Sequence, residues 1–125
     1  MQNKQPQVSL VLLLGHPIHR LNLQRLKNQL IQISKKENDP YITDSVGWGY
    51  YLIGDYQSAE KYLRRAVELM PDDPIVNDHY GDVLWQLNRK MQANYFWKNV
   101  LKFEDTEEKM KKDIQKKMLN GPNKI

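Results

Sequence analysis

A chain of 125 residues supports one domain, and with no cysteine it has neither disulfides nor thiolate chemistry. The net charge of +4 does not mark a nucleic-acid face. Residues 40–104 carry seven Lys/Arg against nine Asp/Glu, so the basic excess lies in the flanks. No apolar run reaches the roughly 18–20 residues that a membrane span needs.

The first apolar stretch, VSLVLLLG at residues 8–15, has no small-x-small cleavage site and runs into His16 and Pro17. It reads as a buried segment rather than a signal peptide, which favours the cytoplasm over export. The HPIH stretch puts His16 and His19 three apart with Pro17 between them, and no Cys or carboxylate accompanies them at a metal-ligand spacing. It is read as a loop pair, with no metal. Residues 21–38 then place Leu23, Leu26, Leu30 and Ile33 at helical spacing. This predicts a flanking helix that covers Ile42, Val46 and Tyr50.

From Pro40 the chain repeats itself. Pro40, Asp44, Gly47 and Ala59 recur without a gap as Pro74, Asp78, Gly81 and Ala93, a period of 34 residues. Tyr50, Leu63 and Ala66 recur as Leu84, Trp97 and Val100. Asp39-Pro40 and Asp73-Pro74 have the pattern of a helix cap followed by proline in the first turn, where a missing N–H costs nothing. Gly54 ends the first helix of the pair, Asp55 caps the second, and Tyr56, Ala59, Leu63, Ala66 and Val67 form its apolar stripe. The small residues permit close approach of paired helices.

Gly47, Tyr50, Tyr56, Ala59, Leu63, Ala66 and Pro71 together resemble the tetratricopeptide repeat (TPR) pattern. Residues 40–73 match it closely. Residues 74–104 keep Gly81, Ala93 and Trp97 but place Lys90 where the pattern prefers Tyr, Val100 where it prefers Ala, and Asp105 in place of the closing Pro. Those departures suit a last repeat. The resemblance implies an all-α fold, TPR-type hairpins stacked as a short right-handed α-solenoid with flanking capping helices. Upstream, Arg25 and Gln32 stand at the offsets of Ala59 and Ala66, so residues 21–38 read as a degraded repeat remnant. The abrupt loss of the pattern there suggests the C-terminal end of a longer bacterial repeat protein, truncated or frameshifted.

Beyond the second repeat, residues 105–120 read as one capping helix. Asp105 with Glu108 predicts a capping-box start; Met110, Ile114 and Met118 form its buried stripe, and Lys109, Lys112 and Lys116 its solvent face. Asn120-Gly121-Pro122 stops it.

No phosphate loop, dinucleotide fingerprint or nucleophile elbow occurs in the chain, so an enzyme is not expected, nor is a cofactor. His79 falls where the first repeat has Ser45, an exposed position, and a lone histidine there reads as solvated. The family resemblance implies that first helices line a concave peptide-binding groove. Carried over by position, that groove shows Tyr41, Asp44, Trp48 and Tyr51, then Ile75, Asp78, His79, Asp82 and Trp85. A clamp for a C-terminal carboxylate is absent, because aspartates and Trp48 hold the positions of its Lys and Asn. An acidic, aromatic groove favours a basic peptide or protein partner. The competing interpretation makes Asp44 and Asp78 residues that merely favour the helix N-terminal turns, and packs Trp48 on the flanking helix. A different function is self-association: a vestigial repeat protein forming a homodimer through residues 8–14 and an uncapped first-repeat face.

Overall fold

The computed structural model describes residues 20–36 and 39–123; the apolar stretch at 8–14 and the His16/His19 pair lie outside the described residues. Six helices follow one another: α1 (Arg20–Lys36), α2 (Pro40–Leu52), α3 (Tyr56–Leu69), α4 (Pro74–Gln86), α5 (Lys90–Lys102) and α6 (Glu108–Asn120). Each packs on the next, and α2 also touches α4, so the helices stack as successive hairpins in a short solenoid. The described residues form no strand.

The hairpins begin where their caps dictate. Asp39 accepts a hydrogen bond from the Tyr41 N–H, and Asp73 accepts from both Ile75 and Val76, each just before a proline in the first turn. Asp55 accepts from Ser58 N–H and Oγ, starting α3 directly after Gly54, whose φ of +85° carries the turn. The corresponding turn in the second hairpin uses Asn88 at φ 63°, the residue type most tolerant of that conformation after glycine. Arg89 then precedes α5 without a side-chain cap.

Within each hairpin one contact sets the helix separation. A Cβ on Gly47 would lie 2.7 Å from Leu63 Cγ, and one on Gly81 would overlap the Trp97 indole. The two glycines and their large partners, 34 residues apart, thus make the same close approach twice. Ala59, Leu63, Ala66, Ala93, Trp97 and Val100 are fully buried beside them in one continuous core. Burying a side chain such as Leu63 favours folding by about 1.5–3 kcal/mol, so helix propensity is secondary here.

The ends are closed by α1 and α6. Leu30 is buried, and Leu26 and Ile33 pack against the core beside Ile42, Val46 and Tyr50. The first-repeat face is therefore covered within one chain. At the other end Ile114 is fully buried with Met110 and Met118 packed around it, while Lys109, Lys112 and Lys116 are exposed. The start of α6 differs from expectation. Thr106 is buried and donates to the Val100 carbonyl at 2.7 Å, which holds residues 103–106 in a turn. The helix therefore starts at Glu108, with Glu107 at its cap and no Asp105 capping box.

Candidate functional site: the face of the first helices

Helices α2 and α4 bring six of the nine groove residues into one cluster. Trp48 on α2 stacks on Tyr51, with centroids 4.5 Å apart and planes at 9°. It also stacks on His79 of α4 at 4.1 Å and 15°. His79 Nδ1 lies 3.0 Å from each carboxylate oxygen of Asp44. The expectation of a solvated His79 is corrected: it bridges the repeats, with 16% of its side-chain surface exposed. Its partners are within reach because Asp44 and His79 occupy the facing sides of neighbouring first helices. Trp48, likewise, packs between repeats, stacked on Tyr51 and His79.

The other two carboxylates are also engaged. Lys117 Nζ, from α6, donates to Asp78 Oδ1 at 2.8 Å and to both Asp82 oxygens at 3.0 and 3.1 Å. Asp82 keeps only 5% of its side-chain surface, and Lys117 and Asp78 17% each. A third rung joins Gln86 Nε2 to the Tyr51 hydroxyl at 3.1 Å. Asp44–His79, Tyr51–Gln86 and Asp82–Lys117 are each 35 residues apart, one repeat plus one residue. The rungs thus tie α2 to α4 and α4 to α6 across the same face.

Burial lowers the tendency of His79 to hold a proton, but the hydrogen bond and charge of Asp44, aided by Asp78 and Asp82, outweigh it and hold the imidazole above its ordinary value of 6.5. Burial, then the neighbouring Asp78, push Asp82 up to about 7 against the pull of Lys117. For Lys117, burial opposes the charge, yet Asp82 and Asp78 hold it above 10.5. One lysine shared by two carboxylates leaves the Asp78–Asp82 pair with at most one net negative charge.

The remaining groove residues stand apart. Tyr41 and Ile75, at matching places in the first turns of α2 and α4, are 62% and 56% exposed. Trp85 is half-buried against Trp97, with Gly121 against its indole and Lys90 Nζ 4.8 Å from its ring centre. It closes the joint with α6 instead of presenting an open aromatic face. A cleft of about 190 Å³ lies beside the cluster, lined by Trp48, Tyr51, Asp82, Lys117, Pro122 and Asn123. Lys117 and Gln86 were the residues sequence reasoning missed. Their signal was chemical complementarity at an offset of 35, not the 34 of the repeat.

Among the described residues, no three His, Cys, Asp or Glu side chains come together as a metal set, and no helix is long and apolar enough to cross a membrane. No family model matches the chain. It is 33% identical over 69 residues to the human (Homo sapiens) aspartyl/asparaginyl beta-hydroxylase. That match takes in 55% of this chain but 8% of the human protein. The likeness is distant and partial, and the hydroxylation is named for the human protein.

Proposed function

We propose that this chain is a non-enzymatic, TPR-type protein-interaction module whose first helices form a concave groove for a peptide or partner protein. The observation that carries this reading is the repeated hairpin. The Gly47–Leu63 and Gly81–Trp97 approaches recur at 34 residues, so the two hairpins are packed by the same contact. The polar groups of the face pair with one another, an arrangement that suits a shaped surface better than a reacting centre.

The partner in this reading is a basic segment with an apolar anchor. Tyr41 and Ile75 supply exposed apolar contacts along one edge. Asp44, Asp78 and Asp82, set against Lys117 and His79, leave at most one net negative charge and no cationic excess, which disfavours acidic ligands. Self-association is the weaker reading, because α1 already lies over the first-repeat face.

Fluorescence anisotropy against a panel of basic, neutral and acidic peptides tests the proposal. Basic peptides containing one or two large apolar residues should bind best. Replacing Tyr41 and Ile75 together with Ala should weaken them about tenfold, the equivalent of 1.4 kcal/mol. Binding that is indifferent to peptide charge and to both substitutions would overturn the groove assignment.

A further inference from the structure

We infer that His79 is a pH-sensitive latch between the two repeats: protonated, it ties α4 to α2 through Asp44 and Trp48, and loss of the proton loosens that joint. The geometry carries the inference. Both oxygens of Asp44 meet one imidazole nitrogen at 3.0 Å, and Asp44 is buried to 7% exposure. A neutral Nδ1–H tautomer can donate to this carboxylate, but the imidazolium makes the bond charge-assisted and neutralises the buried anion, which strengthens it. The imidazole also lies flat on the Trp48 indole at 4.1 Å, where a neutral ring gains ordinary stacking and a cation gains in addition from the indole's negative face.

The charged groups around His79 come from three elements. Asp44 faces it from α2; Asp78 and Asp82 share its own helix, α4; and Lys117 from α6 sits on those two aspartates. Three carboxylates against one lysine favour the proton. Because the folded state holds that proton more tightly than the unfolded chain, the latch contributes stability that is fully present below pH 6.5. It is lost as the pH rises through the folded value. Asp82 titrates in an overlapping window and with the same sign, so bulk stability alone does not isolate the histidine.

The consequence for partner binding rests on the proposed groove, but the latch itself is measured on the free protein. NMR titration of the intact chain would follow the His79 Cε1–H resonance and the Trp48 indole resonance, the latter assigned with Trp48→Phe. The expected result is a His79 midpoint above 6.5 in the wild type, with the Trp48 signal moving at the same midpoint. Asp44→Asn should shift that midpoint down. His79→Gln should abolish the Trp48 transition, while amide exchange in α2 and α4 becomes fast at all pH values. A wild-type midpoint at or below 6.5, or a Trp48 signal that does not follow it, overturns the inference. The wild-type titration decides the matter even if a variant fails to fold. Failure to find a peptide ligand would leave this result standing, and a flat titration would leave the groove standing.

Discussion

A methyl group added to Gly81 would run into the Trp97 indole, whereas one added to Gly47 would meet the branched end of Leu63. The indole is the less forgiving neighbour: it is flat, fully buried, and its N–H reaches toward the Asp78 carbonyl at 3.4 Å. Gly81→Ala should therefore cost about 1–3 kcal/mol in urea denaturation, and Gly47→Ala less, because the Leu63 branch can shift aside even though its backbone nitrogen, 3.1 Å away, cannot. Gly54 offers the contrast. An added Cβ there meets nothing within 4 Å, but φ is +85°, so Gly54→Ala pays only the left-handed penalty of roughly 1–2 kcal/mol. Equal losses at Gly47 and Gly81 would show that backbone shifts, not side-chain stiffness, absorb the overlap.

The helices differ in how well their ends are served. Asp73 satisfies two N–H groups of α4, and Asp73→Ala should lower stability by about 1 kcal/mol. The start of α6 has no such group: Glu107 occupies the cap at φ −69° and ψ 151° without a side-chain bond. Glu107→Asp shortens the side chain enough to reach back, and should raise the thermal midpoint, a gain of about 0.5–1 kcal/mol. The helices were legible in the sequence where the backbone demands a residue type. Proline in a first turn, glycine under an indole and alanine between helices admit few substitutes, so Pro40, Pro74, Gly47, Gly81, Ala59 and Ala93 announced their places. The start of α6 was misplaced because Thr106 hydrogen-bonds back to Val100, a tertiary contact that outweighs a local Asp105 cap. The site was less legible for a related reason. A polar rung asks only for complementary partners, and those lie 35 apart, out of step with the pattern that reveals the fold. Hence the period marks Asp44, Asp78 and Asp82 as acids of this face, while nothing in it points to Lys117 or to the burial of His79.

Across the whole molecule, α6 is attached by a charge as well as by Ile114. Lys117→Met removes the cation that Asp78 and Asp82 share, and should cost about 1.5–3 kcal/mol at pH 8. Asp82 sets the pH dependence of that loss. Its raised pKa means that ionising it opposes folding: its contribution is complete below pH 3.8 and is lost as the pH rises through about 7. The penalty of Lys117→Met should therefore shrink at pH 5, and Asp82→Asn added to it should recover part of the loss at pH 8. Paired denaturation curves at the two pH values check this, and a penalty independent of pH would mean that Lys117 acts through packing of its stem alone. Asp55 acts in the opposite sense. Burial works against its charge, but Ser58 and Lys27 hold its carboxyl below 3.8, so its contribution disappears only as the pH falls through that lower value.

The 35-residue rungs also make the two hairpins directional parts rather than interchangeable ones. Where the second hairpin has His79, the first has Ser45. A tandem copy of residues 40–73 would keep the Gly47–Leu63 approach inside each hairpin. It would nevertheless set a hydroxyl opposite the buried Asp44 of the preceding copy, where an imidazole now stands. Lengthening this solenoid thus calls for a histidine at each internal joint and a lysine-bearing helix at the last, so the order of the units is written in their polar residues.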